Sequence, residues 1–176
     1  MDKTEARYAE IARIMAETQN WIVLQIDYGI PFWAKPPLST WASALSISIF
    51  DASAFFVRLP YLIVCTSIGW WIGKFSHDKN SHYLSGIILL TFPEFFLHAG
   101  VVSTDVFLTL STTMVMLAFW KSLQKDALKF WGYLFFIGLG LGLLSKGPII
   151  GILTLPPIVI WCLIQNKLLK ALNTAP

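Results

Sequence analysis

This chain of 176 residues is poor in charge. Lys, Arg, Asp and Glu make up only 13% of it, against about 25% in ordinary soluble domains. The basic residues never gather into a run, which argues against nucleic acid as a partner. Cysteine is nearly absent: Cys65 and Cys162 each lie inside an apolar stretch and read as small buried hydrophobes, not as a disulfide or a metal pair. No Cys/His metal spacing, glycine-rich phosphate loop or nucleophile elbow occurs. No secretory signal precedes the first apolar run, because the N-terminal stretch is charged and polar. What the chain has instead is apolar surface. It is 56% hydrophobic, with eight Trp and 13 Phe, and its mean hydropathy is +0.64. This is the composition of an all-α integral membrane protein.

Five stretches are long enough to cross, or nearly cross, a bilayer core of roughly 30 Å. They lie near 55–73, 82–101, 106–122, 131–145 and 148–165. In the fourth, Gly138, Gly140 and Gly142 predict close helix packing. Residues 38–50 are apolar but too short to span, and Ser39, Thr40, Ser43, Ser46 and Ser48 interrupt them, so an interfacial helix fits better. The lysines of the connectors (Lys74 and Lys79; Lys121, Lys125 and Lys129) and of the tail (Lys167 and Lys170) alternate with the acid-bearing segments. The positive-inside rule makes these lysines cytoplasmic. Three regions follow: an outer-face loop with interfacial helices over 1–54, a five-span region over 55–165, and a cytoplasmic tail over 166–176.

The N-terminal segment predicts a helix. Asp2 and Glu5 have the form of a capping box. Tyr8, Ile11, Ala12 and Met15 recur at helical spacing, and Arg13 can pair with Glu10 and Glu17 on the polar side. An extended piece follows, with Gly29 and Pro31 as turn residues.

The charges expected on the outer face near the bilayer are Glu5, Arg7, Lys35, Arg58, Asp105 and Lys146. Each has a plain structural reading. Ser103 or Thr104 can cap a helix with Asp105 in its first turn. Lys146, followed by Gly147 and Pro148, suits a helix stop and restart. Lys35 suits a surface loop, and Arg58 can snorkel to headgroups. As a set they also suit a site: cations hold a lipid phosphate, and a carboxylate takes a proton from an attacking hydroxyl. Spacing alone leaves a group transferase and a phospholipid-binding protein both open. Glu94 and His98 share a helix face, but with no third ligand evident they read as a helix-end pair. His77 and His82 read as interface residues.

The blocks TEARYAEIARIM, NWIVLQIDYGIPFWAKPPLSTW, FVRLP, VVSTDVFLTL and LSKGP occur in this order over essentially the whole chain. They resemble the N-terminal part of lipid-linked-sugar glycosyltransferases of the GT-C fold, in the protein-O-mannosyltransferase and aminoarabinose (lipid A) transferase group. The resemblance implies a polyprenyl-phosphate-linked sugar donor, a lipid or protein acceptor, surrounding membrane lipids and no cofactor. It further implies a bacterial inner membrane with the active face periplasmic. Glu5 and Asp105 match acids with catalytic roles. Arg7 and Tyr8 match the Arg-Tyr that follows the acidic pair, and Lys35 and Lys146 match lysines near the carrier phosphate; Arg58 joins them as a substrate-binding candidate. Two departures stand out. Thr4 occupies the place of the leading aspartate, and Ala34 replaces a glutamate that serves some members as a metal ligand, so no metal site is expected. Family members are several times longer, and the chain reads as an internal piece of a longer enzyme. The alternatives are an inactive membrane protein that binds polyprenyl phosphate or a partner subunit, and an unrelated solute carrier. The apolar mid-span segments argue against the carrier.

Overall fold

The computed structural model describes residues 3–75, 82–124 and 128–165, apart from the side chains of Lys3, His82, Glu94 and Phe96. The readings of Asp2, His77, Lys79, Lys125, Lys167 and Lys170, and the interface role of His82 and the pairing role of Glu94, fall outside what is described. The chain divides into two compact units, Met1–Phe107 and Leu108–Pro176.

The first unit opens with α1, Lys3–Thr18. Its apolar stripe is buried as the spacing requires, with Ile11, Ala12, Ile14 and Met15 all almost inaccessible. On the outer side Arg13 bonds Glu10 through Nε (2.9 Å) and Nη2 (2.6 Å) and also pairs with Glu17. Such exposed pairs, screened by water, contribute little to stability. A two-stranded antiparallel hairpin follows, β1 Gln25–Asp27 and β2 Ile30–Pro31. Gly29 turns it with φ +78°, a conformation that needs glycine. Pro31, expected in the turn, pairs opposite Gln25 instead. The hairpin has only two strands, so Pro31 stands in an edge strand, where the missing N–H is tolerated.

α2 spans Leu38–Ile49 and starts after Pro36–Pro37, with Trp41 N–H donating to the Pro37 carbonyl. Its polarity is inverted relative to a soluble helix. Ser39, Thr40, Ser43 and Ser46 are buried, while Leu45 (54% exposed) and Ile49 (64%) face outward. The hydroxyls that seemed to interrupt the apolar run are its packing face. They meet α3, Ala54–Lys74. Ser43 Oγ bonds the Val57 carbonyl (3.3 Å) and the Tyr61 hydroxyl (3.0 Å), and Tyr61 donates to the Ser39 carbonyl (3.2 Å). Pro60 lies inside α3 and has no N–H for the Phe56 carbonyl four residues back. Ser46 Oγ donates to that carbonyl at 2.6 Å, replacing the missing bond from the neighbouring helix.

By length and composition α3 is, among the described residues, the one helix apolar enough and long enough to cross a membrane. The stretch expected as one span over 82–101 is two helices, α4 His82–Thr91 and α5 Pro93–Ala99. Pro93 causes the break, because the residue before a proline is pushed out of the helical region; Phe92 has φ −63° and ψ 126°. α4 packs tightly on α3: a Cβ at Gly86 would stand 2.9 Å from the Gly69 carbonyl oxygen.

α6, Thr104–Ser122, runs from the first unit into the second. α7 (Phe130–Lys146) and α8 (Ile149–Ile164) complete the chain. Their corner is Gly147, with φ +68°, followed by Pro148, as the stop-and-start reading requires. Of Gly138, Gly140 and Gly142 in α7, two mark close packing. A Cβ at Gly138 would meet Val115 at 2.9 Å, and one at Gly142 would meet Ile150 at 2.3 Å. Gly140 faces open space, so its expected packing role is not found. Cys65 and Cys162 are free and buried, in keeping with small hydrophobes.

Candidate functional site

Within the first unit a cleft of about 340 Å³ opens between three pieces of chain. α1 supplies Thr4, Glu5 and Tyr8, which share one helix face by their spacing of one and three residues. The loop between β2 and α2 supplies Lys35. α5 and the turn after it supply Leu97, His98 and Val101 to Asp105. The Tyr8 ring meets Phe32 edge-on at 6.3 Å, which ties the Lys35 loop to α1.

Among the described residues Glu5 is the most enclosed charge, at 4% exposure. Its partner comes from far along the chain: Arg58 Nε donates to Oε1 (2.7 Å) and Nη2 to Oε2 (2.9 Å). Val102 N–H adds a longer bond of 3.4 Å to Oε1. The Arg58 guanidinium holds the Glu5 carboxyl below the ordinary carboxylate range; burial opposes this and the Val102 N–H adds to the lowering. One carboxylate therefore pins α1, α3 and the turn before α6 together. Glu5 is enclosed but Arg58 is 35% exposed, so solvent screening holds the cost of removing one partner to about 2–3 kcal/mol.

These bonds revise one expectation. Arg58 does not snorkel; it is spent on Glu5. The capping-box reading of Glu5 with Asp2 lies outside the described residues. Arg7, grouped with Tyr8 in the sequence, is exposed and does not line the cleft. Asp105 keeps both of its readings. Its N–H donates to Ser103 Oγ (3.1 Å) and Ser103 Oγ donates back to Oδ2 (3.0 Å), so Ser103 closes the start of α6. Asp105 also lines the cleft. Lys146, half-buried, is the last residue of α7 and belongs to the second unit.

The structure thus brings Glu5, Tyr8, Lys35 and Asp105 to one cleft, with Arg58 attached through Glu5. Sequence reasoning missed Thr4 and His98 as wall residues. Thr4 was legible from the α1 face. His98 was not, because its place depends on the Pro93 break. Among the described residues no three of His, Cys, Asp and Glu come close enough together to hold a metal ion.

Comparison with known proteins agrees with this architecture. The crystal structure of ArnT from Cupriavidus metallidurans in the apo state superposes with a TM-score of 0.82 at 21% identity, over 97% of this chain and 33% of that one. The same protein bound to undecaprenyl phosphate gives 0.81 at 20% identity, over 93% and 31%. Two undecaprenyl phosphate-alpha-4-amino-4-deoxy-L-arabinose arabinosyl transferases are similar in sequence. That of Pseudomonas savastanoi pv. phaseolicola is 28% identical and that of an Enterobacter species 29%, each over 98% of this chain. The chain spans about a third of the length of these curated relatives, 33% and 32%. The family described as dolichyl-phosphate-mannose-protein mannosyltransferase matches residues 1–175. A helical chain with this order of elements, matched from end to end, is a member of the dolichyl-phosphate-mannose-protein mannosyltransferase family, and its fold is that of about a third of the ArnT chain.

Proposed function

We propose that this chain forms the carrier-binding part of a membrane glycosyltransferase. It moves a sugar from a polyprenyl-phosphate carrier to a lipid A, other lipid or protein acceptor at the periplasmic face of a bacterial inner membrane. The observation that carries this reading is the cleft itself, where the cation Lys35 and the carboxylate of Asp105 line one small space. Lys35 holds the carrier phosphate. Asp105 takes the proton of an acceptor hydroxyl as that oxygen attacks the anomeric carbon. The bond from that carbon to the phosphate oxygen breaks, and its electron pair leaves with the phosphate. Glu5, matched to a catalytic acid by the resemblance, has a positioning role here, since Arg58 holds both its oxygens. Tyr8 seats the loop of Lys35. Lys146 and Arg7 keep substrate-binding roles on the resemblance alone.

The relatives named above act on an undecaprenyl-phosphate-linked sugar, and a structural neighbour binds undecaprenyl phosphate. In this reading residues 1–54 lie on the outer face, 55–165 cross the membrane five times, and 166–176 are cytoplasmic. α4 and α5 then form one crossing, bent at Pro93. A second reading, a catalytically inactive binder of polyprenyl phosphate, draws on Thr4, a hydroxyl where the resemblance expects an acid.

Binding of a short-chain polyprenyl phosphate to the purified chain in detergent tests the proposal. Saturable binding is expected, weakened about tenfold or more by Lys35→Ala. Equal affinity in both proteins removes Lys35 from the site; transfer of sugar to an acceptor, or its absence, then divides enzyme from inactive binder.

A further inference from the structure

The polar groups around the cleft are of two kinds. Lys35 and Asp105 carry charge, and the charge of Glu5 is already matched by Arg58. Thr4, Tyr8, Ser103, Thr104 and His98 are of the other kind, four hydroxyls and an imidazole. A hydroxyl or a neutral imidazole can donate and accept at once, whereas an ammonium only donates and a carboxylate only accepts.

His98 reaches the cleft by a chain of local causes. Pro93 ends α4 and starts α5 in a new direction. His98 lies in the last turn of α5 and is half-buried. Its carbonyl accepts from Val101 N–H (3.4 Å), which turns the chain so that Val101 to Asp105 continue the same wall. One short stretch therefore delivers both His98 and the reacting acid.

A glycosyl phosphate makes two demands. Its phosphate asks for a cation, and its sugar asks for groups that satisfy hydroxyls in both directions. A volume near 340 Å³ lies at the small end of ligand pockets, about 300–1,000 Å³. It suits the sugar-phosphate head and leaves the long prenyl chain outside. We propose that His98, together with Thr4, hydrogen-bonds the sugar hydroxyls of the donor, making His98 a specificity-determining residue beside the phosphate-holding Lys35. This rests on the glycosyltransferase reading above.

The test compares three ligands on the full chain in detergent: a short-chain polyprenyl phosphate, and the same carrier bearing mannose or 4-amino-4-deoxyarabinose. Wild type is expected to bind one sugar-bearing carrier about tenfold tighter than the bare phosphate. His98→Leu should erase that margin and leave affinity for the bare phosphate unchanged. His98→Gln, which keeps a donor and an acceptor, should retain most of it, while Lys35→Ala weakens all three ligands. Diethyl pyrocarbonate modification, read by mass spectrometry, gives a second measure. The sugar-bearing carrier should slow the reaction of His98, with His77 and His82 as internal references. A full margin in His98→Leu, or equal reaction of His98 with and without carrier, overturns the proposal, and so does wild-type binding with no sugar margin. Failure of wild type to bind any of the three overturns the proposed function as well.

Discussion

The two units bury polar side chains in opposite ways. In the first, the buried hydroxyls and carboxylate bond across elements: Ser43 and Ser46 reach α3 from α2, and Glu5 reaches Arg58 and Val102 from α1. In the second, Ser145 and Thr154 are equally buried, yet each bonds back to its own helix, to the Leu141 and Ile150 carbonyls at 2.8 and 2.7 Å. Close packing of shape joins α6, α7 and α8 at three places. Gly138 admits Val115, Gly142 admits Ile150, and Phe119 meets Trp161 edge-on at 5.8 Å. Hydrogen bonds have direction and fix one arrangement of their partners, whereas glycine against an aliphatic side chain fixes only a distance. In the unit that carries the cleft, directional links run from element to element.

The largest test of this contrast is Arg58→Ala. It leaves the enclosed Glu5 carboxylate without its Arg58 partner, which is itself 35% exposed, and should destabilise the first unit by about 2–3 kcal/mol. The pH dependence supplies the sign. The folded-state pKa of Glu5 is lowered from its ordinary 4.5, with the Arg58 bond as the largest cause. Its contribution is therefore full above about pH 4.5 and is lost as pH falls through the lowered value. In Arg58→Ala the slope should reverse, since acid then relieves a buried charge. Thermal unfolding in detergent between pH 3 and pH 7 measures both; an unchanged acid limb in the variant would show that the pair carries no linkage.

Next in size is Gly142→Ala. The added methyl would overlap Ile150 and should cost about 1–3 kcal/mol despite alanine's better helix propensity. Ile150→Ala in the same chain should recover part of the loss, and no recovery would mean that another contact limits the site. The smallest effects sharpen the comparison most. Ser46→Ala should cost about 1–2 kcal/mol, because it leaves the Phe56 carbonyl without its donor. Ser145→Ala should cost under about 0.5 kcal/mol, because the Leu141 carbonyl is a helical one that Ser145 only shares. Equal losses in the two would dissolve the distinction between the units.

What the sequence made legible follows from range. Helices α1, α2, α3, α6, α7 and α8 come from local periodicity and apolar runs, and all six form near the expected bounds. Lys35 and Asp105 were found because each stands out against its own neighbours. The break at Pro93 was hidden by an otherwise continuous apolar stretch. The partner of Glu5 lies 53 residues away, and no periodicity reports on it. The serines of α2 were misjudged for a physical reason. A hydroxyl in an apolar run reads as an interruption unless the facing helix is known to present carbonyls, and that is a tertiary fact.

Pro60 shows how such a fact becomes a rule of inheritance. The Phe56 carbonyl lacks the N–H that residue 60 would otherwise supply, and Ser46 on α2 donates to it instead. The two residues form a lock and its key written on separate helices. Any lineage that loses the serine is left with a carbonyl stranded in an apolar setting until the proline also changes. A lineage that loses the proline first is free to let the serine drift. Substitutions at positions 46 and 60 should therefore follow an order, proline before serine, and that order would mark descent in chains of this family.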